Sequence, residues 1–462
     1  MSNPDSMSFD ACKVPRDQRI KLANSILGKN DAPEVLEAYE KALKAYRSIF
    51  SLPRGEEDEE LISHLGRYDE ALGMVCELDA GQSDILSRWL KANKTTLDTL
   101  LKATSSDRVV FLFDENAARL SDATSPIAMK SFAMAKLIMA KANERAMQSD
   151  WDSAFEWNRR AQTIGRQLLR HPLMFFQQVG FSLETRALRQ LLIFACRCPS
   201  VRHREILNDL TGRDRVDSSN QDTDKVESLH SIEMIESVYE WLDGKDKLGK
   251  TGEMLATMVE PQMNNAPGIA NRKPFKDVDE LRLALRESSV KGAWANYERQ
   301  CRLFQKWRSH PFHVRWKTRD EFSSAYWRIV ESEPCMAILH SWIEPTNFDY
   351  CEAAAIAQRH ATICVFAILD SMDRLGRLPK ALSEVEQFVS RECLTDPFSG
   401  ETLRYKVDAN VDGFTLYSVG EDQIDDDGLD VGFERGMRGD FVYWPVRRAE
   451  IPPMDDRAND NE

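Results

Sequence analysis

The sequence predicts an α+β protein, with a mainly α-helical body followed by a small C-terminal antiparallel β-sheet. Three observations predict it. From about residue 32 to 341, apolar residues recur at three- and four-residue spacing, the period of a helix with one buried face. A long helix is expected over 348–375, where Cys364, Val365, Ile368, Leu369 and Met372 form a broad apolar face. Beyond Gly376, glycines and prolines cut the chain into short β-like runs, the grammar of strands joined by turns.

Residues 1–30 are polar and expected to be loose. Next, Leu36, Tyr39, Leu43, Tyr46 and Ile49 fall on one helical face, and similar periodicity runs through 58–79, 83–103 and 125–149. A tight connection at Ser149 and Asp150 leads into 151–170, and Pro172 opens a helix over 172–196. Phe132, Ala135, Met139, Ala142 and Ala146 make a small-residue stripe, matched after the turn by Ala154, Trp157 and Ala161. Such stripes let two helices approach closely, as an ordinary hairpin or a single tetratricopeptide-like unit; no repeat at a fixed period supports an array. Residues 213–226 read as a linker, and 261–274 as a second irregular stretch. Helices resume over 276–309 and 318–341. The expected division is a loose segment 1–30, a helical body 31–345, a C-terminal module 346–447 and a disordered tail 448–462.

The 462 residues carry 75 acids against 61 lysines and arginines, a formal charge of −14. That charge weighs against nonspecific binding to nucleic acid or anionic membranes, both of which are negative. The polar start, Met1 to Asp5, predicts no signal peptide and a cytoplasmic chain. No segment is expected to enter a membrane, because the longest uncharged apolar run near a helix centre is Ala361 to Leu369, short of the roughly 20 residues a span needs. Nine cysteines, with Cys196 and Cys198 the close pair, show no disulfide framework and are expected to be reduced.

The C-terminal module has an ordered set of motifs. After the long helix come Gly376-Arg377-Leu378-Pro379, then Asp396-Pro397-Phe398-Ser399-Gly400, then Leu403-Arg404-Tyr405. Gly413-Phe414-Thr415-Leu416-Tyr417-Ser418-Val419-Gly420 leads into an acidic loop, which ends in Gly439-Asp440 and the run to Trp444. Candidate strands are 403–407, 414–419 and 441–444. Over about 350–444 this order resembles the globular head of the major type II secretion pseudopilin. The whole chain more loosely resembles planctomycete-type proteins that carry this head behind a helical body. The helix here contains Glu352, Arg359, His360 and Asp370, so the resemblance implies the fold of the head and not a membrane-anchored pilin stem.

In that family the loop before the last strand binds calcium. Residues 420–440 hold eight acids and two arginines, and so many carboxylates repel one another unless solvated or neutralised. Calcium takes about six to eight hard oxygens in a flexible shell. By position the resemblance implies Asp422 and Asp440 as ligands, with Asp425, Asp426, Asp427 or Asp430 as a third and carbonyls of Leu416 and Ser418 as further donors. Such an ion would be structural. Gln423, Asp425, Asp427, Gly428 and Glu434 also fall at EF-hand spacing, but position one is Gln and the flanks read as strands. The alternative to any ion is a solvated acidic turn.

Residues 291–319 form a basic island: Lys291, Arg299, Arg302, Lys306, Arg308, Arg315, Lys317 and Arg319 interleave with Trp294, Tyr297, Phe304, Trp307, Phe312 and Trp316. Cations among aromatics grip single-stranded nucleic acid, and they also line an amphipathic helix whose rings enter the core; the acidity of the chain favours the second reading. His310 and His313 are two where zinc wants three or four protein ligands, with Cys301 the nearest extra soft ligand and Pro311 breaking a helical presentation, so they read as a turn. His171 and His230 show no partner pattern, and no phosphate loop, nucleophile elbow or His-Glu zinc motif is present. The expected function is a noncatalytic protein-interaction scaffold that binds a peptide or protein. An enzyme with a cleft in the helical body, and a nucleic-acid adaptor using 291–319, are the alternatives.

Overall fold

The computed structural model describes residues 11–28, 33–52, 80–106, 109, 111–117, 120, 126–213, 221–242, 278–339, 345–408, 413–429 and 439–446. The expected helix over 58–79, the irregular stretch 261–274 and the tail 448–462 lie outside these residues. In chain order, α1 is Arg16–Leu27, α2 Pro33–Ala45, α3 Ala80–Ala92, α4 Lys94–Ala103, α5 Pro126–Met147, α6 Trp151–Leu169, α7 Met174–Ala195, α8 Val201–Thr211 and α9 Gln221–Leu242. Then come α10 (Val278–Arg286), α11 (Val290–Arg308), α12 (Phe312–Lys317), α13 (Arg319–Glu331), α14 (Pro334–Leu339) and α15 (Pro345–Leu375). Strands β1 (Arg404–Asp408), β2 (Gly413–Ser418) and β3 (Phe441–Trp444) follow. The chain is thus a mainly helical body with a small C-terminal antiparallel sheet of order β1-β2-β3.

Two expected irregular segments are partly helical. Within 1–30, α1 is fixed by charge. Arg19, only 2% exposed, donates to both oxygens of Glu236 on α9 at 2.7 Å each, and Arg16 reaches Glu240 at 2.5 Å. A helix held by ion pairs at residues 220 or so further on leaves little hydrophobic period to read. Within 213–226, α9 starts at Gln221, ahead of its first core residue, Val226. The acids of that first turn look like linker in sequence and suit a helix N-terminus in the fold.

The predicted hairpin is α5 and α6, closed by a turn in which Ser149 takes φ 58° and Asp150 accepts from the Ser153 amide. Ala142, Ala146, Ala154 and Ala161 are buried along it. The closest approach lies one helix further on, between α6 and α7. A Cβ on Gly180 would stand 2.8 Å from the Gly165 carbonyl oxygen and 2.9 Å from the Leu169 amide. Backbone therefore touches backbone at this crossing. Asn158 and Gln190 bind across it, with Asn158 donating to the Ala187 carbonyl at 2.8 Å.

The core has two main parts. One is built on α1–α6, α9, α11 and α14. The other joins the ends of α5 to α8 with α12, α15 and the sheet, through residues such as Leu191, Leu207, Trp316, Phe366 and Phe441. Against the expectation for the membrane, Thr346–Leu375 is long and apolar enough to cross one; its most apolar window is 89% buried inside the protein. It is a core helix sheathed by other elements.

His171 sits beside α7 in an aromatic box of Phe111, Phe113 and Phe176, with the Phe176 centroid 4.1 Å away. Its Nδ1 accepts from the Leu173 amide at 3.2 Å. Burial pushes its pKa down to about 3, and nearby His230 is lowered to about 4, also by burial.

Gly180→Ala is expected to lower unfolding free energy by about 1–3 kcal/mol, through overpacking at the α6–α7 crossing. An unchanged urea midpoint would show that the helices do not meet there. The histidines set a pH dependence. Below about pH 6.5 the unfolded chain takes up protons that the folded chain refuses, so stability is intact above that pH and falls as pH drops toward 4. Half-buried Glu227, raised to about 7 by burial, opposes this above about 4.5 and offsets one of the two protons. In His171→Asn the slope of stability against pH should be smaller by about one proton; an identical slope would refute the neutral buried state.

Candidate functional site

Strand alternation places Arg404 and Lys406 on one face of β1 and Tyr405 on the other. Tyr405 packs on Phe414 and its hydroxyl donates to the Pro379 carbonyl at 2.8 Å. On the opposite face the acidic segment 422–429 folds back over the sheet. Arg404 Nε lies 3.1 Å from Asp425 Oδ2, the Tyr417 hydroxyl donates to Asp425 Oδ1 at 3.0 Å, and Lys406 pairs with Asp427. Tyr417 is fully buried beneath this segment. At its neck Gly420 takes φ +68°, and a Cβ there would stand 2.7 Å from the Gly439 carbonyl oxygen.

Asp440 organises the far side of the loop. It is fully buried, its Oδ2 accepts from the Gly428 amide at 2.7 Å, and its own amide donates to the Leu429 carbonyl at 2.9 Å. Burial pushes its carboxyl up, and the charges of Asp425 and Asp426 push the same way. Among the described residues, its Oδ1 is buried with no hydrogen-bond partner, and so is Asp422 Oδ2, while Asp422 Oδ1 accepts from the Ile424 amide.

The predicted ligands are therefore only partly brought together. Among the described residues, no three His, Cys, Asp or Glu side chains converge as a metal group. Asp427 is mostly exposed and paired with Lys406, and Asp426 is exposed. Leu416 and Ser418 lie within β2, and the Ser418 hydroxyl points to Asp396 at 2.9 Å. Asp430 falls outside the described residues. The EF-hand spacing has no EF-hand geometry, since the Gln423 amide donates to the carbonyls of His313 and Phe398, and strands flank the loop.

Asp396, quoted in the motif but given no role, is the latch of the module. Its side chain accepts from the amides of Phe398 and Val419 and the hydroxyls of Ser399 and Ser418, at 2.9–3.2 Å. Burial pushes its carboxyl up and these donors pull it back. The Asp-Pro-Phe-Ser-Gly run thus ties the turn before β1 to the end of β2.

The basic island docks the module to the body. Arg315 binds Asp349 through Nη2 at 2.6 Å and Nε at 2.7 Å, and Arg308 reaches Glu352 at 2.5 Å. Trp316 Nε1 donates to the Glu421 carbonyl at 2.8 Å, and Arg319 pairs with the Glu421 carboxylate at 3.3 Å. Trp294, Trp307 and Trp316 are 7%, 7% and 3% exposed, so the rings that nucleic-acid stacking would need face inward. His313 lies against Gly400, and the His310 carbonyl accepts from Arg315.

A pocket of about 250 Å³ opens where α6, α7, α8, α15 and the segment 388–393 meet. Its polar lining includes Glu184, Arg359 and His360. Arg359 Nη1 lies 3.3 Å from Glu184 Oε1, and Nη2 donates to the carbonyls of Leu210 and Arg213 at 2.9 and 2.8 Å. His360 Nδ1 donates to the Thr395 carbonyl at 2.8 Å. Sequence spacing gave no sign of this grouping, because its residues come from separate helices.

Comparison of the chain with protein-family models, with curated proteins and with solved structures finds no match. The Asp396 latch makes its own test. Asp396→Ala leaves buried donors unpaired and should cost about 3–5 kcal/mol, whereas Ser399→Ala removes one hydroxyl and should cost about 1. Thermal melts that rank these two variants equally would deny Asp396 its role.

Proposed function

We propose that the chain is a noncatalytic protein-interaction scaffold whose C-terminal module is a pseudopilin-like head with a calcium-closed acidic hairpin. The observation that carries the ion is that, among the described residues, two buried oxygens of one loop, Asp422 Oδ2 and Asp440 Oδ1, have no hydrogen-bond partner. A buried carboxylate oxygen without a donor is costly, and hard oxygens are what calcium takes. Asp425 and Asp427 are neutralised by Arg404 and Lys406, so Asp422 and Asp440 are the carboxylates that fit the ion, with Asp426 nearby. The ion would pin the hairpin to the sheet and supply no chemistry.

The scaffold reading rests on how the head is mounted. Arg308, Arg315, Arg319 and Trp316 bond across to the α15 helix and the hairpin, so the head is fastened to the body. On the hairpin, Ile424 and Leu429 stand 57% and 59% exposed among the aspartates. Apolar side chains ringed by acids suit a protein partner with apolar and basic groups.

Millimolar calcium should raise the melting temperature of the full chain by about 2–5 °C over a chelator control, with magnesium giving less. Asp422→Asn and Asp440→Asn should each remove the rise. A wild-type melt indifferent to calcium would exclude the ion. Purified partner that binds Ile424→Asp/Leu429→Asp as tightly as wild type would exclude this surface.

A further inference from the structure

We infer that the pocket between body and head binds a small zwitterion with an apolar body, namely an aliphatic or aromatic α-amino acid. Its volume, about 250 Å³, lies below the roughly 300–1,000 Å³ of sites for drug-sized ligands, so the occupant is small. Its walls are largely apolar: Leu169 and Phe181 from the body, Ile356 and Ile363 from α15, Phe388 and Val389 from the module.

The polar groups have a specific character. Glu184 and Arg359 are 8% and 9% exposed, and both line the pocket. They meet through one contact of 3.3 Å and not through a tight two-pronged bridge. A guanidinium has five N–H donors. One goes to Glu184 and two to the carbonyls of Leu210 and Arg213, so the fork has donors to spare for a ligand carboxylate. A carboxylate beside it has lone pairs for a ligand ammonium.

Charge balance then selects the ligand. The Glu184–Arg359 pair is neutral overall; at the rim Arg213 is neutralised by Asp209 and Glu392 is exposed to solvent. A simple anion or a simple cation would bring one uncompensated charge into a largely apolar space, which is costly. A zwitterion brings both signs, meets a partner at each end, and lays its side chain on the apolar wall. It would also touch α7, α15 and the 388–393 segment together, and so brace the module against the body.

The test uses the full chain with L-leucine and L-phenylalanine, by calorimetry and thermal melting. At least one should bind saturably and raise the melting temperature. 4-Methylpentanoate, which lacks the ammonium, and 3-methylbutylamine, which lacks the carboxylate, should bind at least about tenfold more weakly than leucine. Glu184→Gln should weaken amino-acid binding by a similar factor while tightening 4-methylpentanoate, because Arg359 then faces the pocket without its own carboxylate partner. Ile356→Trp, which fills the pocket, should abolish binding. No saturable binding of either amino acid at 10 mM (an order-of-magnitude ceiling, about 3 kcal/mol) would overturn the proposal. Equal binding of either single-ended analogue, or undiminished binding to folded Ile356→Trp, would overturn it too. These readouts need no calcium, so their failure is separate from failure of the hairpin ion.

Discussion

Asp349 is wholly buried near the start of α15, and an isolated carboxylate there would cost several kcal/mol. Burial pushes its carboxyl up; Arg315 and then Arg308 pull it back. Satisfying it requires the guanidinium of Arg315, which sits on α12. That requirement sets α12 against α15, and with it Phe312 and Trp316. Phe312 meets Phe398 edge-on at 5.2 Å, and Trp316 stands 6.0 Å from Tyr350. From there the contact runs into the acidic hairpin through Glu421. Removing either partner would strand a buried charge, so the pair constrains the mounting of the head more than it adds stability by itself.

The same pair explains the basic island. In sequence, eight cations against one acid over 291–319 look like a surface patch. In space the acids that answer them come from elsewhere: Asp349 and Glu352 from α15, Glu421 from the hairpin. Local charge counts miss partners distant in sequence. The acidic loop repeats the lesson with the signs reversed, since the cations that pair with Asp425 and Asp427, Arg404 and Lys406, belong to β1.

What the sequence made legible follows from period and punctuation. The three strands lie within a residue or so of their expected places, because alternation and glycine turns are local signals. The α5–α6 hairpin follows from its alanine stripe. The illegible parts all depend on distant partners. Helix α1 is held by Glu236 and Glu240, more than two hundred residues away. The Gly165–Gly180 contact looks like two isolated helix-breaking residues. Asp396 looks like a turn residue until Ser418 and Val419 arrive from β2. Of the loop residues, Asp422 and Asp440 each have a buried oxygen with no hydrogen-bond partner among the described residues, which the charge pattern of the loop alone does not reveal.

The acidic hairpin and the junction pocket pose one problem with different answers. Each places carboxylates in partial burial near the seam between helices and sheet. In the pocket, Glu184 already has an arginine partner, so the local charge is balanced and a neutral ligand fits. In the hairpin, the strand cations reach Asp425 and Asp427 but leave Asp422 and Asp440 with an oxygen each unanswered. Protonation could silence one, as the raised carboxyl of Asp440 indicates. A protonated acid must still donate its hydrogen to an acceptor. The calcium proposed for the loop would offset the repulsion from Asp425 and Asp426 that raises Asp440, a repulsion that strand cations reaching only Asp425 and Asp427 leave in part unanswered.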